Sequence, residues 1–417
     1  MPEAQIPIAA QEEDMSQGPM AGIKVIEIST FQQGPVAGMR LGDLGADVIK
    51  IEPKEGDPAR RHMKTIEADF RVHGYNYYFE HANRNKRGIV LDMKKEKGME
   101  IFLKLIDSAD VFLNNMSIGA PKRLGIGPDE LLARNPRLVY AHASGWGRQG
   151  PIANSLSFDY TGIARSGLMM AAGENGTPPS MILPGLGDEM GGLMSAWGVT
   201  LALFARERTG RGQVVDTSLM GSVIALLGHL MSGTAMLQQV FPRFVRAASG
   251  NPLYSHYRCK DDRWLAIAHL DPDRWWPKVC GALGLDRLVD DSKFNSIKAR
   301  AENGRELVAI FDEVFAGKTR DEWMQILSEH GCIFTPVQDI IEVVDDPQVM
   351  ANKYMIDIEH PEYGATKTMG FPWDLSETPA SWRRGAPKLG EHTDEVILGL
   401  GYSAEDLSRL REEGVVS

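Results

Sequence analysis

From residue 22 onward, short runs rich in β-branched residues alternate with stretches of helix length. Lys24 to Ser29 reads KVIEIS and Asp47 to Glu52 reads DVIKIE, both short enough and β-rich enough to be strands. Pro35 to Gly45 lies between them and has the length of a helix, with Pro35 tolerated in its first turn. This predicts a βαβ unit opening a parallel sheet. The alternation continues with a strand at Ile89 to Leu91. A helix follows, carrying Met99, Phe102, Leu103 and Ile106 at i, i+3, i+4 and i+7. Val111 to Leu113 and Leu138 to Ala141 are further strands.

The helical signal is strongest from Glu189, where Met190, Leu193, Met194, Trp197, Leu201 and Phe204 share one stripe. It stops at Thr209-Gly-Arg-Gly-Gln, where two glycines break the helix. Leu193 to Ala205, the most apolar stretch, is shorter than the roughly 20 residues that span a bilayer and is expected to be a buried helix. A strand at Val214 to Ser218 and an apolar helix at Val223 to Met231 follow. The character then changes. Leu253 to Cys259, Lys260-Asp-Asp and Trp264 to His269 read as a hairpin, with helices from Asp273, near 301–316 and near 320–330. After about residue 340 the chain is rich in turns and ends in a helix from Ala404. The expected organisation is a flexible polar tail (1–19), a large α/β domain (20–242), a smaller α+β domain (243–340) and a return of 341–417 to the first domain. A chain of 417 residues exceeds what one core supports, which agrees with two domains.

A net charge of −11 with no basic stripe argues against nucleic acid as a partner. Cys259, Cys280 and Cys332 form no CxxC pair and suit a reducing compartment. The acidic start (Glu3, Glu12, Glu13, Asp14) is unlike a signal peptide, so the expectation is a cytoplasmic protein without membrane association. The ten histidines show no metal-ligand spacing, and no metal is expected. Neither GxGxxG nor GxSxG is present, and Pro35 removes an amide that would cradle a dinucleotide. Two features remain. Arg84-Asn85-Lys86-Arg87, with Lys94 and Arg123, offers cations for phosphates, although spacing alone favours a solvated turn. Gly185-Leu186-Gly187-Asp188-Glu189 opens the long helix. Asp188 there is either a plain N-cap or a reactive carboxylate beside amides that suit an oxyanion.

Taken in order, eight segments resemble the class III CoA-transferases, the family of formyl-CoA transferase, carnitine CoA-transferase and alpha-methylacyl-CoA racemase. They are GPVAGMRLGDLGADVIKIE (34–52), NRNKRGIVLDMK (83–94), DVFLNN (110–115), RLGIG (123–127), SGWGRQGP (144–151), GLGDEMGG (185–192), TGRGQVVDTSLM (209–220) and LGEHTDEVIL (389–398). The resemblance runs from Gly22 to about Tyr402. It implies a Rossmann-like large domain built from both chain ends, a smaller domain and an interlocked dimer. It also implies Asp188 as covalent nucleophile and Gln32 near its carboxylate, with Gln33 beside it. CoA contacts are implied at Leu91, Asp92, Met93, Lys94, Asn115, Met116, Ser117 and Arg123. Coenzyme A is then a substrate rather than a tightly bound cofactor, and the partners are an acyl-CoA, a carboxylic acid and a second subunit, identical or related.

The implied reaction conserves thioester energy through a mixed anhydride and an aspartyl-CoA thioester on Asp188. Helix N-terminal amides would stabilise the oxyanions. Pro53 stands where formyl-CoA transferase has a CoA-binding arginine, and only Ser249-Gly250-Asn251 lies where that enzyme has a glycine run. The racemase branch needs a histidine where this chain has Phe158, which cannot carry a proton. FDYTG (158–162) and LPGLGD (183–188) look closest to transferases of aromatic acids. The alternatives are a 2-methylacyl-CoA racemase or intramolecular CoA-transfer isomerase on the same fold and, outside enzymes, a degenerate partner subunit.

Overall fold

A computed structural model describes residues 18–61, 69, 71–72 and 75–417. The expected tail therefore lies outside the described residues except for its last two positions. The chain divides into two compact units, one formed by Met1–Met169, Met181–Gln238 and Tyr354–Ser417, the other by Met170–Ser180 and Gln239–Lys353.

The first unit is built on six parallel strands: β1 (Lys24–Ile28), β2 (Asp47–Glu52), β3 (Lys86–Val90), β4 (Val111–Asn114), β5 (Val139–Ser144) and β6 (Val214–Ser218). Their order is β3-β2-β1-β4-β5-β6. That is the doubly wound order, in which a crevice opens between β1 and β4 at the carboxyl ends of the strands. Successive residues alternate between two buried faces. Ile26, Ile49, Phe112 and Tyr140 face α3 (Glu96–Asp107) and the chain end, through Phe102, Ile397 and Leu410. Val25, Val48, Val111 and Val139 face α1 (Gln33–Asp43) and a long helix, Leu186–Thr209. The chain end also closes the sheet edge, since Val416 bridges to Leu91 and the Asp92 N–H donates to the Val415 carbonyl at 2.8 Å.

Helix positions follow from side-chain size. The long helix crosses α1 through small residues; a Cβ on Gly192 would lie 2.5 Å from Val36 Cγ1. It buries Gly191, Ser195, Ala196, Val199 and Ala202 and leaves Trp197, Leu201 and Phe204 more than half exposed. The helix is thus not buried on its large-residue stripe, as its apolar pattern suggested. Close packing selects the small face for the sheet. The apolar helix expected at Val223 to Met231 is two helices, Leu219–Leu226 and Gly228–Leu237, bent by 79°. Among the described residues no single helix is long and apolar enough to cross a membrane.

The basic run Arg84 to Arg87 is not a solvated turn. Arg84 pairs with Asp43 at 2.8 Å and Arg87 with Asp47 at 2.6 Å. Lys86 is fully buried on β3 and lies 2.9 Å from Glu27. Glu27 is also paired with Lys50, which in turn reaches Asp57 at 3.0 Å. Acidic residues on β1, α1 and β2 take up the three charges of this run.

The second unit has a three-stranded antiparallel sheet, Tyr254–Arg258, Trp264–Ala268 and Phe334–Val337, packed on helices Pro272–Leu283, Gly304–Phe315 and Arg320–Glu329. The third strand has no counterpart in the apolar pattern, because only its pairing with Trp264–Ala268 defines it. The region after residue 340 holds a hairpin, Met355–His360 with Gly364–Met369, within the stretch expected to be rich in turns.

Removing one member of a buried ion cluster strands the others in a medium that solvates them poorly. Lys86→Met is therefore expected to lower unfolding free energy by about 3–5 kcal/mol, with partial recovery in the Lys86→Met/Glu27→Gln double variant. Denaturant titration of the three proteins measures this.

Candidate active site

The crevice at the end of β1 and β4 is a cavity of about 530 Å³ whose lining includes Gln32, Gln33, Asn115, Arg123, Asp159 and Asp188. Asn115 spans the switch point. Its Nδ2 donates to the Thr30 carbonyl at 2.8 Å, and its Oδ1 accepts from the Thr30 N–H at 3.0 Å. Its side-chain amide thus ties the two strand ends together. The turn from β1 into α1 carries Phe31 at φ 62°, an uncommon conformation for a residue with a bulky side chain. The buried Asp57 holds it by accepting from the Phe31 N–H at 3.1 Å.

Asp188 sits in the first turn of the long helix. Its neighbours differ from what the pattern suggests. The amides there face a carboxylate from another helix. Asp159, first residue of Asp159–Ser166, accepts from the Gly185 N–H at 2.8 Å and the Asp188 N–H at 3.0 Å. The approach is so close that a Cβ on Gly187 would lie 2.8 Å from Asp159 Oδ1. The group that favours the Asp188 charge is the Gln33 backbone N–H, at the N-terminus of α1. Of the two helix ends in the crevice, α1 is thus the one that presents an amide to the carboxylate.

Gln32 is brought to the same place, but its Nε2 donates to Glu189 Oε1 at 2.8 Å. The Gln33 side chain donates to the Ser144 carbonyl at 3.2 Å. Glu189 also receives His81 Nε2, 2.7 Å from Oε1, and has Arg40 4.0 Å away. His81 and Arg40 are site residues that spacing missed, since 108 positions separate His81 from Glu189. The visible signal was Glu189 itself, a second acid beside Asp188.

The two adjacent carboxylates are driven apart. Burial pushes Asp188 up to about 7, and the charges of Asp159 and Glu189 push the same way against one Gln33 hydrogen bond. Burial would raise Glu189 too, but the His81 hydrogen bond and charge, the Gln32 amide and Arg40 bring it below the ordinary carboxylate range. A neighbouring acid pair tuned in opposite directions marks a site built for chemistry on one of them. Tyr78, on Tyr77–Asn83, is raised well above the ordinary phenol value by burial and then by Asp188, so it stays a neutral hydroxyl.

The remaining positions divide. Met116 and Ser117 line the cavity with Asn115 and Arg123, and the Arg123 side chain is exposed. Leu91, Asp92, Met93 and Lys94 do not line it. Leu91 is buried at the end of β3, Asp92 caps a turn by accepting from the Lys94 N–H at 3.0 Å, and Lys94 is exposed. Pro53 is exposed beyond β2, and Phe158 is 67% exposed at the cavity wall.

Comparison with known proteins gives the family. The family model for CoA-transferase family III matches residues 20–393. Over 405 residues the chain is 33% identical to (R)-2-hydroxy-4-methylpentanoate CoA-transferase of Clostridioides difficile, covering 95% of this chain and 99% of that protein. It is 32% identical to cinnamoyl-CoA:phenyllactate CoA-transferase of Clostridium sporogenes, covering 94% and 96%. A crystal structure of a CaiB/BaiF family protein from Brucella suis superposes with a TM-score of 0.83 at 29% identity, covering 92% of this chain and 100% of that one. The chain belongs to CoA-transferase family III. It is an acyl-CoA:carboxylate CoA-transferase.

Asp188 ionises more readily in the unfolded chain, near 3.8, than in the folded one, near 7. Its charge therefore costs stability progressively as pH rises between those values, and the full cost persists above 7. Asp188→Asn is expected to melt above the parent enzyme at pH 8, the gap closing toward pH 4. Thermal melts across that range test it.

Proposed function

We propose that this enzyme moves coenzyme A from an acyl-CoA donor to a free carboxylic acid through covalent intermediates on Asp188. The observation that carries the reading is Asp188 itself, a half-buried carboxylate beside two other acids, with the Gln33 amide near it, in the wall of a crevice. Asp188 Oδ attacks the donor carbonyl, the C–S bond breaks, and the thiolate leaves with the negative charge. The thiolate then attacks the Asp188 carbonyl of the mixed anhydride, expelling the donor acid and leaving an aspartyl-CoA thioester. The acceptor acid reverses both steps. The Gln33 amide at the N-terminus of α1 supports the reading, since it stands where an oxyanion on the Asp188 carbonyl would develop. Gln32 acts at one remove, holding Glu189.

CoA is held, in this reading, by Arg123 and by the Asn115–Ser117 loop in the crevice, with Leu91 to Lys94 contributing farther along the same edge of the sheet. Lys94 and Arg123 would meet phosphates. Among acceptors, aromatic or branched apolar acids are favoured: Phe31 and Phe158 meet edge to face at 6.3 Å on the cavity wall, and the relatives named above take such acids. Racemisation is disfavoured, because Phe158 is no base and both oxygens of Asp159 already accept backbone N–H groups. We further propose an interlocked homodimer in the cytoplasm, with a related chain as the alternative partner. The exposed stripe of Trp197, Leu201 and Phe204 is the kind of surface a second copy covers.

Incubation with an acyl-CoA and a panel of free acids, read by mass spectrometry, is expected to show CoA exchange and a CoA adduct mapping to Asp188. Asp188→Asn should lose transfer by at least about a thousandfold, the scale typical of a removed nucleophile. Full transfer by that variant, or rapid α-deuterium uptake from heavy water without an acceptor, overturns the reading. Light scattering is expected to give a dimer mass, and Trp197→Asp/Phe204→Asp is expected to move it toward the monomer.

A further inference from the structure

Asp159 is a carboxylate in the wall of the reaction cavity that the covalent route does not use. Its placement is specific. It projects from the first turn of Asp159–Ser166, where a negative charge is favourable, and both of its oxygens accept amides from the turn that carries Asp188. A neutral hydrogen-bond acceptor could also take up those amides, though more weakly. What a carboxylate adds is a second negative charge against Asp188.

We infer that Asp159 is a positioning residue that holds the Asp188 turn from outside and, through its charge, favours the acylated Asp188 over the free carboxylate. The inference rests on the reading of Asp188 as the covalent nucleophile. In the free enzyme Asp188 and Asp159 repel one another. When Asp188 is esterified, first as the anhydride and then as the CoA thioester, it becomes neutral and the repulsion disappears. The displaced charge leaves with the thiolate in the first step and with the donor carboxylate in the second. The repulsion therefore raises the starting state without touching the intermediates, and a thioester on a carboxylate becomes easier to form.

The charged and titratable groups facing Asp188 come from four elements. Asp159 stands on one helix and Glu189 on Asp188's own helix. Tyr78 and His81 stand on Tyr77–Asn83, and Arg40 stands on α1 behind Glu189. Glu189 is balanced by His81, Gln32 and Arg40. Among the described residues Asp159 accepts only the backbone amides of Gly185 and Asp188, so its charge is the one that acts on Asp188 with least compensation. The upward displacement of Asp188 agrees in direction.

The test is Asp159→Asn in the full-length enzyme, read in two ways that a purely structural role leaves unmoved. The acid limb of kcat/KM against pH, set near 7 by Asp188 in the parent, is expected to move down by about one unit. The ratio of aspartyl-CoA enzyme to free enzyme, trapped at a fixed ratio of acyl-CoA to free acid, is expected to fall by about tenfold, the factor equivalent to one pK unit. Asp159→Ser keeps an acceptor and drops the charge, and reads the same quantities if Asn disturbs the turn. Asp159→Glu restores the charge and is expected to keep the limb near 7 even if kcat falls. A limb that stays near 7 in both neutral variants, with an unchanged trapped ratio, overturns the inference and leaves Asp159 as a cap. If the parent enzyme forms no adduct on Asp188, the covalent reading itself fails, an outcome visible before any Asp159 variant is made.

Discussion

The buried ion cluster under the first βα turn is the constraint on which the rest of the site depends. Glu27, Lys50 and Lys86 lie on three adjacent strands, and Asp57 follows β2; all four are fully buried. Charges removed from water persist only when paired, and here each pair also fixes a neighbouring element. Lys86 donates to the Pro35 carbonyl at 2.8 Å, inside the first turn of α1. Lys50 donates to the Ser29 carbonyl at 2.8 Å. Asp57 holds the Phe31 amide. The turn that presents Gln32 and Gln33 is thereby clamped from below at three points, and the Asn115 amide clamps it from the side. A loop carrying a phenylalanine at positive φ needs such support, because the conformation is costly without it.

Around that turn the site separates charges by environment rather than by residue type. Three carboxylates meet at the N-terminus of the long helix. Glu189 is supplied with a histidine, an amide and an arginine. Asp159 takes two backbone amides. Among the groups that act on Asp188, the Gln33 backbone amide alone favours its charge. Glu189 is held below the ordinary carboxylate range, while burial and its two acidic neighbours push Asp188 above it. A nucleophile that must lose its charge to form a covalent bond gains from that inequality.

The same long helix shows how packing overrides apolarity. Its largest side chains point away from the sheet because glycine, alanine and serine are what allow α1 and the strands to approach. The exposed stripe suits a partner surface, so the helix that carries Asp188 also borders the face through which subunits are proposed to meet.

Much of the fold was legible from local pattern. The alternation of β-branched runs with helix-length segments fixed the parallel sheet, since periodicity and strand length are properties of short stretches. The Gly-Leu-Gly-Asp-Glu turn left Asp188 as either a plain N-cap or a reactive carboxylate, and only the resemblance of the whole chain to a family chose between the two. The sequence could also exclude a histidine at position 158. Tertiary structure alone decided the rest. The charges of Arg84, Lys86 and Arg87 read as a surface turn because their partners, Asp43, Glu27 and Asp47, lie some 40 to 59 positions away. Gln32 was assigned to Asp188 and found on Glu189, one residue along, because a helix turns about 100° per residue and only packing sets which face meets α1. Local propensity reaches across a few residues, whereas pairing of charges and the choice of buried face are settled between segments that only the fold brings together.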